Sequence, residues 1–553
     1  MKISKQLSKW TIVVALSSLV TLFAFNPSST NYFEISKNLD IFATLYREVN
    51  TYYVDDVDAG KLIKTGITEM LKSLDPYTNF ISESEAEDFR FQMTGQYGGI
   101  GSLVGTKGEY VVITEPYEGY AAQKADLRAG DIVLEIEGKS TKGKTTSDIS
   151  KMLKGQPGTP VKLLIKREGE GELLKTITRE EIQIKNVPYS GIINNDIGYI
   201  RLASFTQNAG KEVRDALIEL KKNTKLKGII LDVRGNPGGL LHESINIVNV
   251  FVQQGQEIVS TKGKVSEWDK VYKTLNQPVD TETPVIVLTN RGSASASEIV
   301  SGSIQDLDRG VIIGQRTFGK GLVQSTRPLS YNTQLKVTTA KYYTPSGRCI
   351  QALDYSHRNE DGSVGSVPDS LKKSFKTKSG RTVYDGGGIT PDIVTNTSDF
   401  SKITESLITN QLIFDFATQY RIKHASIQPA KDFKLNEQDY TDFKQFIANK
   451  NYDYQTKSEK ALEEFKLKAE DEKYFEAVKA QYDNLKQNLH HDKLADLEKN
   501  KAEIIQLLEL EIAKRYYFQR AAYEMAYKND DDIKESLKLF EDINKYKKIL
   551  SKK

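Results

Sequence analysis

Short apolar runs alternate with helical patterns between residues 198 and 314, and this alternation limits the fold of the chain more than any other feature. Three runs are nearly continuous in apolar residues, as in strands buried on both faces: Lys227–Val233, Pro284–Thr289 and Gly310–Gly314. Helical patterns over Leu241–Gln253 and Ala294–Leu307 separate them. Because strands that alternate with helices favour parallel pairing, this region predicts an α/β unit built on a parallel sheet.

A glycine-led segment precedes the α/β unit. Gly95, Gly98, Gly99 and Gly101 open about 75 residues in which short predicted strands flank two short predicted helices. This pattern predicts a small, partly open β-barrel. Before it, residues 32–82 carry apolar positions at helical spacing, which predict an N-terminal helical region.

The chain beyond Phe400 has a different composition, rich in lysine, glutamate, leucine and tyrosine and almost without glycine or proline. Ile504, Leu508 and Ile512 recur at helical spacing near its end. We therefore predict a C-terminal helical domain of roughly 150 residues, and we interpret the apolar stripe as core rather than as a binding surface.

Composition excludes several classes of protein. A length of 553 residues predicts about three or four domains. The 77 basic residues against 74 acidic ones argue against nucleic acid as the main partner. The single cysteine, Cys349, leaves no internal disulfide and no thiol pair for a metal site, and the adjacent His490 and His491 would not share a helix face. We expect neither a metal nor another cofactor.

The amino terminus has the form of an export signal. Lys2, Lys5 and Lys9 precede an uncharged, mostly apolar run, Trp10–Phe25. The run is slightly shorter than the ~20 residues of a comfortable transmembrane helix. Because no clean A-x-A cleavage site follows it, we expect residues 1–26 to act as a signal sequence or as an uncleaved membrane anchor, with the rest of the chain outside.

Three loops of the α/β unit carry residues that could do chemistry. Ser293-Ala-Ser-Ala-Ser297 lies where a predicted strand meets a helix, so its serines are either N-caps or include a nucleophile beside the free amides of the helix end. Arg234-Gly-Asn-Pro-Gly-Gly239 is either a tight turn or a loop whose glycines let the backbone approach a substrate. It lacks the patterns of phosphate-binding loops.

The third loop is Thr317-Phe-Gly-Lys-Gly321. Its Lys320 is either a solvated loop lysine or a buried one, and a buried lysine has a lowered pKa and can serve as the base for a serine. Histidine is the commoner base, yet only His242 lies near these loops in sequence, within a predicted helix. From the residues alone, all three serines of the first loop remain open as nucleophile.

In this order and spacing, the three loops resemble those of the C-terminal processing peptidases, also called tail-specific proteases. The matching stretches are Leu231–Leu240, Gly292–Ile299 and Thr317–Gln324, with Tyr342–Arg348 and Gly388–Asp392 as further landmarks. The resemblance implies a serine peptidase with a serine-lysine dyad and a crotonase-like α/β core.

The resemblance also implies a role for individual residues. Ser295 is expected to be the nucleophile, Lys320 the general base and Gln324 the residue that orients the lysine. The oxyanion hole is expected at the backbone amides of Gly239 and Ala296.

The glycine-led segment resembles a PDZ domain, also through the stretch Leu127-Arg-Ala-Gly-Asp-Ile132. This resemblance implies that the loop formed by Gly98, Gly99, Ile100 and Gly101 holds the terminal carboxylate of a substrate through its amides. The substrate tail would then add a strand to the sheet.

We therefore predict an α/β multidomain chain, with a crotonase-like peptidase core, an inserted small β-rich PDZ domain and helical N- and C-terminal regions. The predicted divisions are 1–26 as signal or anchor, 27–94 as a helical region, 95–185 as the PDZ domain, 186–398 as the peptidase core and 399–553 as a helical domain.

The expected function is a serine endopeptidase of the periplasm that cleaves exported proteins through their apolar C-terminal tails, with the N-terminal segment as a candidate anchor in the bacterial inner membrane. A lipoprotein adaptor and a homo-oligomer are further candidate partners. Two alternatives stay open: a catalytically silent PDZ scaffold and a crotonase-like acyl-CoA enzyme. The acyl-CoA enzyme is the less favoured of the two, because the sequence has no evident CoA-binding signature and carries an export signal.

Overall fold

A computed structural model describes residues 27–395, 400–489, 493–527 and 530–551. The predicted signal or anchor at 1–26, the pair His490 and His491, and the predicted boundary between 398 and 399 lie outside the described residues. The chain divides into two compact units: residues up to Phe80 together with Thr326–Val337, and Ile81–Ser325 together with Thr338 onward.

The first unit contains two helices, α1 (Pro27–Tyr52) and α2 (Ala59–Lys72), in agreement with the predicted helical pattern. The carboxylate of Asp58 accepts a hydrogen bond from Lys61 N–H at 2.9 Å and so caps the start of α2. A short strand, β1 (Asn79–Ile81), follows. Among the helices of the described ranges, none is long and apolar enough to cross a membrane.

The glycine-led segment folds as an antiparallel sheet with short helices. Its elements, with the helix before it, are α3 (Ala86–Thr94), β2 (Gln96–Gly99), β3 (Ser102–Lys107), β4 (Tyr110–Pro116), α4 (Ala121–Lys124), β5 (Ile132–Ile136), β6 (Lys139–Ser140), α5 (Thr146–Leu153), β7 (Pro160–Arg167), β8 (Gly171–Thr178) and β9 (Glu180–Gln183). The sheet has the order β3-β4-β5-β7-β8, with β6 beside β5, while β2 pairs with β9. Strand β3 therefore lies at an edge of the sheet.

The α/β unit follows. Its elements are β10 (Tyr189–Ile193), β11 (Ile197–Arg201), α6 (Ala209–Lys222), β12 (Gly228–Asp232), α7 (Leu241–Phe251), β13 (Glu257–Gly263), β14 (Lys270–Lys273), β15 (Val285–Thr289), α8 (Ala296–Asp306), β16 (Gly310–Gly314), β17 (Leu322–Pro328), β18 (Gln334–Tyr343), β19 (Leu353–Arg358), β20 (Val364–Ser366), β21 (Ser374–Lys376), β22 (Thr382–Tyr384) and β23 (Ile393–Val394). Its main sheet has the order β10-β11-β12-β15-β16-β23 and is parallel from β11 to β23, which confirms the predicted parallel pairing.

Alternate residues of the central strands face two different hydrophobic cores. Ile229 and Leu231 of β12 pack with apolar side chains of α6, α7 and α8, whereas Ile230 packs on the opposite face of the sheet. Because both faces are covered, all five residues of β12 are buried. This explains why the run is nearly continuous in apolar residues instead of alternating.

The described part of the chain beyond residue 400 is helical, as predicted. Its helices are α9 (Lys402–Thr409), α10 (Leu412–Lys423), α11 (Glu437–Ile447), α12 (Lys457–Asp471), α13 (Phe475–Leu489), α14 (Lys493–Lys499), α15 (Lys501–Ala526), α16 (Asp531–Glu541) and α17 (Ile543–Leu550). Ile504, Leu508 and Ile512 are fully buried in a cluster with side chains of α9, α10 and α11, so the stripe is core.

The last two helices belong to the α/β core rather than to this helical cluster. Ile533, Leu539 and Phe540 of α16 and Tyr546 of α17 cover the second face of the main sheet. The Tyr546 hydroxyl donates to the carbonyl of Val285 and accepts from its N–H, both at 3.0 Å. The C-terminal helices are thus shared between two hydrophobic cores.

Candidate active site

The three serines that follow β15 differ in exposure and in hydrogen bonding. Ser293 is fully buried, and its hydroxyl donates to the carbonyl of Val233 at 2.8 Å. Ser297 is fully buried as well, and its hydroxyl donates to the carbonyl of Asn236 at 2.9 Å. Ser295 is only half-buried. Two of the three candidates therefore brace the neighbouring loop, and Ser295 is the one that a substrate can reach.

Ser295 has an unusual backbone conformation, with φ 55° and ψ −112° directly before helix α8. A side chain rarely adopts this region unless surrounding contacts hold it, and such strain is concentrated at functional sites. Here the Ser295 N–H donates to Glu298 Oε2 at 2.8 Å, and the Tyr342 hydroxyl donates to the Ser295 carbonyl at 3.2 Å.

The glycine pair after β12 lies directly against Ser295. A Cβ at Gly238 would stand 2.7 Å from the Ala294 carbonyl oxygen and 2.8 Å from the Ala296 nitrogen, so only glycine fits. Gly238 N–H donates to Asn236 Oδ1 at 2.9 Å. By contrast, the N–H groups of Gly239 and Ala296 donate to no acceptor within the described ranges. The two predicted oxyanion donors are thus unoccupied, and the loop that carries one of them packs beside the other.

Glu298 joins the serine loop to the lysine loop, a role that the sequence analysis missed. Its fully buried carboxylate accepts hydrogen bonds of 2.5 to 2.8 Å from four donors: Ser295 N–H, Thr317 Oγ1, Gly319 N–H and Lys320 N–H. Burial raises the pKa of Glu298 to about 7, although these hydrogen bonds oppose the shift. A glutamate three residues after a serine at a helix start is a capping-box pattern, and that signal could have identified it.

Lys320 and Gln324 lie on the loop and strand that follow β16. The N–H of Lys320 donates to Glu298 Oε2 at 2.8 Å, and the residue is half-buried. Gln324, on β17, donates from Nε2 to Thr338 Oγ1 of β18 at 3.1 Å. Since the Ser295 N–H donates to the same carboxylate oxygen, a single atom separates the backbones of the predicted nucleophile and base.

The loop that carries Gly239 is also held from the C-terminal end of the chain. Arg234 Nη1 forms ion pairs with Asp530 at 2.7 Å and Asp532 at 2.8 Å, just before and within α16. Arg234 Nη2 binds Asp232 at 2.7 Å, and Asp232 is also bound by Arg201. Burial alone would raise the pKa of Asp232, but the two guanidinium groups outweigh it and hold the pKa at about 2.

Among the described residues, the other reactive side chains do not form a second centre of this kind. His242 is exposed on α7 and lies 3.4 Å from Glu243. Cys349 is half-buried, and burial raises the pKa of its thiol, which keeps the thiol protonated. In the described ranges, no group of three or more His, Cys, Asp or Glu side chains could hold a metal ion.

The predicted carboxylate loop divides into two parts. Gly98 and Gly99 lie in β2, paired with β9, and Gly98 packs so closely on Gly155 that an added Cβ would stand 2.1 Å from its carbonyl oxygen. Ile100 and Gly101 form the turn into β3, and Gly101 has φ 73°. Within the described residues, the amides of Ile100 and Gly101 have no acceptor.

Three family models match this chain. Peptidase family S41 matches residues 196–356, a PDZ domain matches residues 112–167, and the probable PDZ-protease C-terminal helical domain matches residues 403–540.

The chain is also similar to individual proteins. A carboxy-terminal-processing protease of Bartonella bacilliformis is 38% identical over 344 residues, which cover 62% of this chain and 79% of the relative. A probable CtpA-like serine protease of Staphylococcus aureus is 33% identical over 345 residues, or 62% of this chain and 68% of the relative. The solved photosystem II D1 C-terminal processing protease is 28% identical, with 64% of this chain and 92% of that chain covered and a TM-score of 0.36.

The matches define a serine-type peptidase that consists of an S41 peptidase core, a PDZ domain and a helical C-terminal domain. The chain belongs to peptidase family S41, among the carboxy-terminal processing proteases.

Proposed function

We propose that this peptidase is an endopeptidase in which Ser295 is the nucleophile and Lys320 the general base. The observation that carries the proposal is the shared acceptor: Glu298 Oε2 binds the N–H groups of both residues at 2.8 Å. Catalysis by a positioned base requires that nucleophile and base keep a fixed relation, and this carboxylate fixes their backbones.

The proposed reaction begins when neutral Lys320 Nζ takes the proton of Ser295 Oγ, as that oxygen attacks the carbonyl carbon of the scissile peptide bond. The N–H groups of Gly239 and Ala296 bind the resulting oxyanion. The C–N bond then breaks, the lysine proton passes to the leaving amine, and an acyl-enzyme ester remains. Water that loses a proton to Lys320 hydrolyses the ester and restores Ser295. Gln324 orients the lysine.

We propose that substrates are proteins with apolar C-terminal tails, bound at the PDZ domain. The unoccupied amides of Ile100 and Gly101 are suitable donors for a terminal carboxylate, with Gly98 and Gly99 shaping the loop. A tail that adds to the edge strand β3 would lie beside helix α5, which neighbours that strand.

The remaining parts of the proposal are supported by the sequence pattern. We propose that residues 1–26 direct export to the periplasm or anchor the chain in the inner membrane, and that the domains divide near 94, 185 and 398. The parallel sheet with backbone amides at its loops is consistent with a crotonase-like core. An adaptor lipoprotein and a homo-oligomer are candidate partners for the helical domain.

The dyad is tested by digestion of an unstructured protein such as casein with purified full-length variants. Ser295→Ala and Lys320→Ala should each abolish cleavage, and Lys320→Arg should abolish it too, because arginine does not deprotonate in proteins. Lys264→Ala, which removes an exposed lysine, is the matched control and should cut normally.

Cleavage by the Ser295→Ala protein would refute the assignment of the nucleophile. A wild-type protein that binds tail peptides yet leaves casein and tail-bearing proteins intact would favour the silent scaffold instead. Circular dichroism on each variant shows that a loss of cleavage is not a loss of fold.

A further inference from the structure

The outer edge of β3 can be located from its pairing with β4. Val104 pairs with Ile113, whose N–H donates to Asp131 O and whose carbonyl accepts from Gly130 N–H, both at 2.8 Å. Because Ile113 directs its backbone groups away from β3, the pair is a non-hydrogen-bonded one, and Val104 directs its own groups to the outer edge. Thr106, two residues further along β3, shares that orientation.

The first turn of helix α10 occupies one end of this edge. Gln411 donates from Nε2 to the carbonyl of Thr106 at 2.6 Å. The next residue of β3, Lys107, forms an ion pair of 2.6 Å with Asp415 of the same helix. By contrast, no partner within the described residues binds the N–H or carbonyl of Val104. The edge is therefore open near the carboxylate loop and closed at Thr106.

Gln411 is held in a conformation that costs backbone energy. Its φ is 59° and ψ is 21°, a left-handed geometry that a glutamine rarely adopts, directly before α10 begins at Leu412. Strain of this kind persists where surrounding structure requires it and is often connected with function. Here it brings the side chain to the carbonyl of Thr106, one of the two backbone groups with which a longer added strand would pair.

We propose that Gln411 ends the tail-binding edge, so that the site accepts four C-terminal residues of an extended tail and a fifth must displace Gln411. The proposal rests on the proposed tail binding at β3. An antiparallel tail pairs residue by residue. With its carboxylate at Ile100 and Gly101, its last residue lies beside Ser102, its third from the end opposite Val104 and its fifth opposite Thr106.

The experiment measures the affinity of fluorescent peptides of three to eight residues that share one apolar C-terminus, for full-length Ser295→Ala protein that cannot cleave them. Affinity should rise up to four residues and then stay level. In the Gln411→Ala background, affinity should rise further at five and six residues, by roughly threefold to tenfold, the value of one hydrogen bond. Gln411→Glu, which keeps the size but cannot donate, should behave likewise.

Gln419→Ala is the matched control. Gln419 lies on α10 and, like Gln411, donates to the PDZ domain: it binds Glu168 Oε1 at 2.9 Å, away from the edge of β3. This variant should keep the plateau at four residues. A wild-type affinity that continues to rise beyond four residues would overturn the role of Gln411 and leave the tail-binding proposal intact. Absence of any binding, or equal binding of peptides with an amidated C-terminus, would overturn the tail-binding proposal and this inference with it.

Discussion

At Glu298 a buried carboxylate accepts four hydrogen bonds from the loops of the proposed nucleophile and base. Four donors use the acceptor sites of an ionised carboxylate, so a proton on either oxygen would displace a donor. Burial nevertheless raises the pKa of this group to about 7. The contact between the serine loop and the lysine loop should therefore depend on pH close to neutrality.

Replacing Glu298 by glutamine tests this residue. In the Glu298→Gln variant, the amide NH2 would face two donors whose hydrogen bonds a carboxylate oxygen now accepts. The variant should therefore lose about tenfold to a hundredfold in kcat, the value of one or two broken hydrogen bonds. The measurement is kcat on a fluorogenic peptide at pH 8. Equal kcat in variant and wild type would show that the four contacts do not position the catalytic residues.

In the wild type, activity and stability should change in opposite directions with pH. As pH falls through about 7, Glu298 takes up a proton, the loop contacts weaken and kcat/KM should fall. For stability the sign is reversed: the pKa is raised on folding, so the folded state binds this proton more tightly than the unfolded state. The stabilisation is full below the unfolded pKa and is lost as pH rises through about 7.

Urea denaturation at pH 5 and pH 8 checks the second half of this prediction. The free energy of unfolding of the wild type, measured relative to that of Glu298→Gln, should be larger at pH 5 than at pH 8. A difference that is constant with pH would mean that Glu298 keeps an ordinary pKa in the folded protein.

At the scale of elements, helix α16 and the residue before it hold the loop after β12, which belongs to the candidate active site. Arg234 is bound on one side by Asp232, at the end of that strand, and on the other by Asp530 and Asp532. Asp532 is almost fully buried, so its charge has few alternatives to this pair. The position of the Gly239 amide therefore depends on a helix almost 300 residues further along the chain.

The variant Asp532→Asn tests this connection. It should lower kcat about threefold to tenfold and the free energy of unfolding by about 1–3 kcal/mol, because the buried ion pair with Arg234 becomes a hydrogen bond from the guanidinium to an uncharged amide. Asp531→Asn, at an exposed position of the same helix, is the control and should change stability by less than about 0.5 kcal/mol. Equal effects of the two variants would argue against a specific role for Asp532.

Over the whole molecule, the C-terminal helices serve two cores. Helices α9, α10, α11, α14 and α15 contribute to a cluster of their own, whereas α16 and α17 cover the second face of the main sheet. Phe540 lies so close to β12 that a Cβ at Gly228 would stand 2.5 Å from its ring. The end of the chain is thus a structural part of the peptidase core.

Phe540→Ala should lower the free energy of unfolding by about 3–5 kcal/mol, since it removes a buried ring and leaves a cavity over the sheet. Phe465→Ala, which truncates a half-exposed ring on α12, should cost less than about 1 kcal/mol. Chemical denaturation with catalytic activity as the probe separates the two. A small loss for Phe540→Ala would mean that α16 is dispensable for the core.

The sequence alone predicted the parts of this protein that local patterns encode. The three apolar runs agree with β12, β15 and β16 to within one residue at each end, because a strand buried on both faces has apolar residues at most positions rather than at alternate ones. The stripe of Ile504, Leu508 and Ile512 predicted core because its period matches one face of a helix. The motif spacing indicated the peptidase family in the same way.

The residues alone left the three serines equivalent, and only the family resemblance selected Ser295. The tertiary structure added the difference in exposure, which depends on which carbonyls of the neighbouring loop accept the hydroxyls of Ser293 and Ser297. The bridge through Glu298, the ion pairs from α16 to Arg234 and the contact of Gln411 with β3 were likewise absent from the sequence-based predictions. Each joins segments that are remote in sequence or folded into separate loops. Periodicity and spacing report the conformation of a segment, whereas the free energy of these contacts depends on how segments pack against each other.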